Sequence, residues 1–325
     1  MNAVWIRGRA VKACIVEDKE KTVIKDVPLP QINDEEVLIK VKVCGMCASE
    51  LHVWEQGYGA GSYRLGHEAV GFIEAMGANV KGFSIGDRVT GMMLNAFAEY
   101  TKENFRSIVK VPEKLRDEEA FGEPLSCLLC GAERTTVHFG DSVAIVGMGF
   151  MGLGFMQLMQ LKGAARVIAV DVRQEGLEHA LRFGADEAML PQEAAERYNV
   201  VEWGQMGRGV NVAVEASGSQ KGLECAGNIT GVHGIMSVVG YHQGGPRSVD
   251  MGLWNWKALT VINAHERRNE FHMAGMKAGL DMIAKGSFNM KDMITHEFSM
   301  KELDQAFRAM KDKEKGYIKS YIRIA

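Results

Sequence analysis

An α/β fold is predicted for this chain of 325 residues, with a doubly wound parallel sheet through its middle and a run of antiparallel strands before it. Three observations carry that reading. Val143-Ala144-Ile145-Val146 is an unbroken apolar run that ends in Gly147-Met148-Gly149-Phe150-Met151-Gly152. An apolar, helix-length stretch follows to about residue 161, and a second apolar run, 167–170, ends at Asp171. In contrast, the strand-like runs of the first third of the chain lack the helix-length spacers that parallel pairing needs.

Taken in order, residues 11–16, 22–27 and 37–43 read as strands. In the last of these, Val37, Ile39, Val41 and Val43 alternate with Lys40 and Lys42. Pro28 and Pro30 break the chain between the second and third, so a partly open β-barrel or sandwich is expected. Residues 124–134 read as a helix that would set Cys127 and Cys130 on one face. After Asp171, residues 175–183 look helical and stop at Gly184, a residue suited to a helix C-terminus. Strands are expected at 210–215, 234–240 and 259–262. Residues 271–284 form an amphipathic helix, Ser299 to Glu302 is a capping box that opens a helix through about residue 311, and 317–324 alternates as a final strand.

The central unit has a chemical meaning. Strand, glycine turn, helix, strand and acid within about 30 residues is a dinucleotide-binding fingerprint. Gly147 permits the tight turn, Gly149 lets backbone approach a pyrophosphate, and Gly152 lets the helix pack closely. Phe150 and Met151 open the helix, whose free N–H groups and dipole attract phosphate. Asp171 would accept the adenosine ribose hydroxyls and repel a 2′-phosphate, which favours NAD over NADP; the guanidinium of Arg173 weakens that preference.

Composition narrows the rest. Net charge is −3 with both signs interspersed, so nothing favours nucleic acid or an anionic membrane. The N-terminal residues carry no apolar signal region, and no apolar stretch reaches the ~18 residues of a membrane span. Six cysteines, four of them in two CxxC pairs, do not suggest a disulfide framework in a chain of this size. The expected compartment is the cytoplasm.

Reactive residue types cluster in Cys44-Gly45-Met46-Cys47-Ala48-Ser49-Glu50-Leu51-His52, then in Gly66-His67-Glu68, with Gly86-Asp87-Arg88-Val89 beyond. A thiolate and an imidazole on separate loops suit Zn²⁺, whose catalytic sites keep three protein ligands and one open position. These motifs, in this order and ahead of a glycine fingerprint, resemble the zinc-dependent medium-chain alcohol and polyol dehydrogenases over nearly the whole chain. The resemblance implies a Rossmann NAD-binding domain (123–265) inserted into a partly open β-barrel, GroES-like catalytic domain (1–122 and 266–325), with the zinc cleft between them.

It also implies site roles. Cys47 and His67 match the catalytic zinc ligands, and Glu68 matches a supporting group or occasional ligand. Glu123, in Glu123-Pro124-Leu125, matches the polyol and sugar branch, where it binds zinc directly or through water; the plainer reading is an acid stabilised at a helix start. Ser49 and His52 match a proton relay, and Ser49 also fits the N-cap of a short helix. Gly240 begins a loop near the nicotinamide ring. Cys44 stands at a variable position and reads as a small buried residue. A four-thiolate site drawing on Cys127 and Cys130 would consume the ligand Cys47. His67-Glu68 and His265-Glu266 each begin like HExxH but lack the second histidine.

The four-cysteine lobe that many members carry after Arg88 is missing, so one zinc per chain is expected. Residues 54–64 and the loop after Gly240 should line the substrate pocket, with Gly57, Gly59 and Gly61 making the first segment pliable. Arg64 would meet an anionic group there or simply face solvent. Dimers or tetramers are implied. The reading is an oxidoreductase that moves hydride between NAD and a secondary alcohol, a polyol or sugar-like compound. The alternatives are a threonine 3-dehydrogenase-like amino-alcohol enzyme, an NADPH-dependent ketone reductase, and a non-catalytic nucleotide- and zinc-binding protein.

Overall fold

Nine-residue β1 (Ala10–Asp18) turns back antiparallel on β2 (Lys21–Pro28). The computed structural model describes residues 9–57 and 65–324, and they divide into two units. One ends at Cys127 and resumes at Arg268; the other is Leu128–Arg267.

The first unit is organised on β3 (Glu36–Gly45), a strand buried on both faces at Val37, Leu38, Ile39, Val41, Val43 and Cys44. The short helix α1 (Leu51–Gln56) follows it. Next come β4 (Glu68–Met76), β5 (Arg88–Gly91), β6 (Tyr100–Asn104) and β7 (Ile108–Lys110), none of which the sequence pattern marked. β3 pairs antiparallel with both β4 and β6. Trp54 of α1 is fully buried, and its indole N–H donates to Asp304 at 2.9 Å. Its ring stacks at 5.1 Å on Phe307, which fixes the helix that carries His52.

Helix α2 (Gly122–Arg134) leads into the second unit. There β8 (Ser142–Val146), α3 (Phe150–Leu161), β9 (Arg166–Val170), α4 (Gln174–Arg182) and β10 (Glu187–Met189) alternate. The alternation continues through α5 (Pro191–Tyr198), β11 (Val210–Glu215), α6 (Gln220–Ile229), β12 (Thr230–Val238), α7 (Met251–Trp256) and β13 (Thr260–Asn263). All six strands are parallel, in the order β10-β9-β8-β11-β12-β13. This is the doubly wound sheet the apolar runs predict. The expected strand at 234–240 begins earlier, at Thr230, with Gly234 inside it.

The chain then returns through α8 (Asn269–Lys285), β14 (Ile294–Ser299), α9 (Leu303–Asp312) and β15 (Lys319–Arg323). The Ser299/Glu302 capping box is present. β15 pairs antiparallel with β3, and α9 buries Leu303, Ala306, Phe307 and Met310 in the core around β3. No helix of the described residues is long and apolar enough to cross a membrane.

Helix ends inside a core need partners for their last carbonyls. Lys257, with no exposed surface, points its ammonium at the carbonyls of Gly227, Asn228 and Thr230, at 2.5, 3.2 and 2.7 Å. Burial pushes this amine down to about 8, which still leaves it charged at neutral pH with all three donors in use at the C-terminal end of α6. Lys257→Met keeps the length and leaves the buried Gly227 and Thr230 carbonyls without their donor, while Asn228 keeps the Val200 N–H, so it should cost about 2–4 kcal/mol. A urea midpoint equal to wild type would contradict this role.

Candidate functional site

Two loops of the first unit converge. Cys47 precedes a single 3-10 turn, Ala48–Glu50, just after β3 ends, and His67 stands immediately before β4, whose first residue is Glu68. The donor atoms of Cys47, His67 and Glu68 all lie within 4.8 Å of one another. The strand register makes this possible, because Gly45 pairs with Glu68. A Cβ at position 45 would come within 2.1 Å of Glu68 Oε2, so glycine clears the space the carboxylate fills.

Two charged residues hold the donors in place. Glu50 Oε1 lies 2.9 Å from His67 Nδ1 and accepts the Gly66 N–H at 2.7 Å. A carboxylate behind a histidine fixes the ring and its tautomer for a metal. Lys319 of β15 sits 2.6 Å from Glu68 Oε2 and donates to the Met46 carbonyl at 2.8 Å. Glu68 and Lys319 are only 1% and 4% exposed. Burial works against the charge on Lys319, but Glu68 and the Cys47 sulfur outweigh it and raise the amine. At His67 burial likewise resists the imidazolium, yet the Cys47 sulfur and the Glu50 carboxylate push it up to about 12.

This set fits a divalent cation. Sulfur, imidazole and carboxylate are ligands that Zn²⁺ takes. Glu50 Oε2 is a buried oxygen without a hydrogen-bond partner. With Glu50, Glu68, Glu123 and the Cys47 sulfur gathered about Lys319 and His67, acceptors outnumber fixed positive charges.

Other expected residues are placed as follows. Glu123 stands in the first turn of α2, half-buried, and Cys127 Sγ donates to its Oε1 at 3.4 Å. Burial pushes the Glu123 carboxyl up, and the Cys127 thiol as well. Glu123 is not among the three whose donors converge within 4.8 Å. Cys44 is fully buried, and burial raises its thiol. Ser49 lies inside the 3-10 turn rather than at an N-cap, because the turn begins one residue earlier, at Ala48. Its hydroxyl donates to Cys47 Sγ at 3.2 Å. His52 is exposed on the first turn of α1. Residues 58–64, with Gly59, Gly61 and Arg64, lie outside the described residues; Gly57 closes α1 with φ +59°.

In the second unit the glycine turn has the expected geometry. Gly147 has φ +101°, and a Cβ there would lie 2.8–2.9 Å from Ser217; one at Gly152 would lie 1.8 Å from the Gly147 carbonyl. Gly149 precedes Phe150 and Met151 at the start of α3 and faces open space. Asp171, 7% exposed, accepts the Met148 N–H at 2.6 Å and the Arg173 N–H at 2.7 Å, with Arg173 Nε at 3.7 Å. The carboxylate thus ties the glycine turn to the end of β9. Beyond β12, a Cβ on Gly240 would meet Gly218 N at 2.4 Å.

Sequence reasoning missed Glu50 and Lys319. Glu50 was visible within the cysteine motif, and Lys319 is a lone cation in Tyr317-Ile318-Lys319-Ser320-Tyr321-Ile322.

The chain is similar to known proteins over most of its length. Residues 33–170 match the alcohol dehydrogenase GroES-like domain, and residues 151–285 match the zinc-binding dehydrogenase family. A sorbitol dehydrogenase of Bacillus subtilis is 27% identical over 91% of this chain and 92% of its own length. A probable D-xylulose reductase of Aspergillus clavatus is 26% identical over the same shares. An alcohol dehydrogenase structure from Thermus sp. ATN1 superposes with a TM-score of 0.83 at 24% identity, covering 97% of this chain and all of that one.

Glu50→Ala should lower zinc affinity by about 10–100-fold, the usual cost of losing a group that orients a ligand histidine. Competition with a chromophoric chelator measures this directly. An unchanged affinity would mean that Glu50 serves only the Gly66 turn.

Proposed function

Starting from the premise that this chain belongs to the zinc-dependent medium-chain alcohol and polyol dehydrogenase family, we propose that it oxidises a secondary alcohol of a polyol or sugar-like compound, with NAD as hydride acceptor. The observation that carries the reading is the convergence of Cys47, His67 and Glu68 within 4.8 Å, in a chain that also holds a glycine turn tied to an acid. The names of the relatives, sorbitol dehydrogenase and D-xylulose reductase, favour polyols over amino alcohols.

Cys47, His67 and Glu68 would hold Zn²⁺, with Glu123 nearby as a further carboxylate. When bound, the ion would supply Lewis acidity toward an alcohol oxygen, and the dinucleotide would supply a hydride acceptor. The chain's own groups do the rest. Glu50 keeps the His67 ring turned toward the site, and Lys319, 2.6 Å from Glu68 Oε2, holds that carboxylate in place. The Ser49 hydroxyl, 3.2 Å from the Cys47 sulfur, can receive the alcohol proton, and exposed His52 can release it to solvent. Asp171 supports NAD over NADP because a buried carboxylate repels a 2′-phosphate, although Arg173 offsets part of its charge. A dimer or tetramer in the cytoplasm completes the reading.

The test is NADH formation across polyols, sugars, amino alcohols and simple secondary alcohols, repeated after chelation. Polyol turnover that chelation abolishes is expected, and Cys47→Ser should lose turnover while still binding dinucleotide. Turnover that survives both treatments would remove the zinc chemistry.

His52→Ala should slow oxidation most at acidic pH, where a proton is hardest to release, and added buffer bases should restore part of the rate. An unaltered pH–rate profile would take His52 out of the relay.

A further inference from the structure

We propose that Glu215, His242 and Arg247 form a positioning relay that shapes the nicotinamide half of the dinucleotide crevice; the proposal rests on the dinucleotide reading above. In the order β10-β9-β8-β11-β12-β13 the winding reverses between β8 and β11, and such sheets bind ligands beyond their strand carboxyl ends at that point. The glycine turn after β8 and Asp171 after β9 serve the pyrophosphate and adenosine side. The turn 216–218 after β11 and the loop 240–249 after β12 therefore border the other half.

Glu215, the last residue of β11, is fully buried. Its Oε1 accepts the N–H groups of Ser217 and Gly218, at 2.8 and 2.9 Å, and the Ser217 hydroxyl at 2.6 Å. Its Oε2 lies 2.9 Å from His242 Nε2. The other ring nitrogen, Nδ1, receives the Arg247 Nε–H at 3.2 Å. Arginine has no acceptor, so Nδ1 presents a lone pair and the ring proton sits on Nε2, donated to Glu215. A neutral histidine thus couples a buried carboxylate to a guanidinium.

Arg247 uses its remaining donors on the loop and the turn. Nη1 donates to the Gly245 carbonyl at 3.1 Å, and Nη2 donates to Gln243 at 2.6 Å and Gly218 at 3.4 Å. Gly244 and Gly245, at φ +82° and +118°, let the loop double back. Gln220 of α6 closes its far end by exchanging two hydrogen bonds with the Ser248 backbone. Ser217 in turn packs against Gly147, so the relay fixes the loop, the turn and one wall of the glycine turn together. His242 and Arg247 act through these segments, as positioning residues.

The test compares a whole dinucleotide with a fragment that lacks nicotinamide. Wild type, His242→Ala and Arg247→Met are titrated with NADH and with ADP-ribose, followed by ligand fluorescence and by calorimetry. Both variants should bind NADH about tenfold more weakly, consistent with losing a hydrogen bond to a charged group, and should bind ADP-ribose within about twofold of wild type. His242→Gln, which keeps a donor for Glu215, should restore most of the NADH affinity. Equal losses for both ligands would mean general collapse of the unit and overturn the proposal, as would unchanged NADH binding in both variants. A wild-type chain that bound neither ligand would remove the dinucleotide reading itself, and the proposal with it.

Discussion

The ion pair between Glu68 and Lys319 is the constraint on which the first unit depends. Two charges taken this far from water are tolerated only when each neutralises the other, and removing one partner typically costs about 3–5 kcal/mol. Lys319 arrives on β15, the last strand of the chain, and Glu68 opens β4, some 250 residues earlier. Both meet at β3, whose terminal Gly45 leaves room for the carboxylate. The C-terminal segment must therefore fold onto β3 before the donor cluster has its charge balance. The burial of α9 in the same core supplies the apolar drive for that return.

The same balance accounts for the chemistry. The Cys47 sulfur and Glu50 both favour positive charge at His67, the kind of charge a divalent cation would supply there. Buried polar groups that are hydrogen-bonded rigidify a site, and a low-dielectric surround makes a leftover oxygen such as Glu50 Oε2 costly. In the second unit Asp171 and Glu215 show a parallel logic. Each is a buried acid at the end of a strand, and each binds the backbone N–H groups of a following or neighbouring turn.

Local features were legible in the sequence. The glycine turn, Asp171 and the parallel alternation lie within short spans, where spacing alone fixes geometry. Cys47, His67 and Glu68 could be named because two short motifs carry the family resemblance. Glu50 and Lys319 could not be given roles, since these depend on which strands pair across the chain. The strands β4 to β7 escaped notice because they are short or interrupted, β4 by Gly71 and Glu74. The N-cap expected at Ser49 failed by two residues: Cys47 takes that place and the turn is 3-10. Lys257 carries no local signal of its capping role, since the carbonyls it meets lie at the junction of α6 and β12, some 30 residues earlier.

In the proposed zinc centre one sulfur, from Cys47, meets imidazole and carboxylate. X-ray absorption at the zinc edge of the metal-loaded protein tests it most directly. One sulfur with nitrogen and oxygen ligands is expected around the metal, and Cys47→Ser should lose that sulfur. Two or more sulfurs, drawing in Cys44 or Cys127, or a sulfur that persists in the variant, would contradict it.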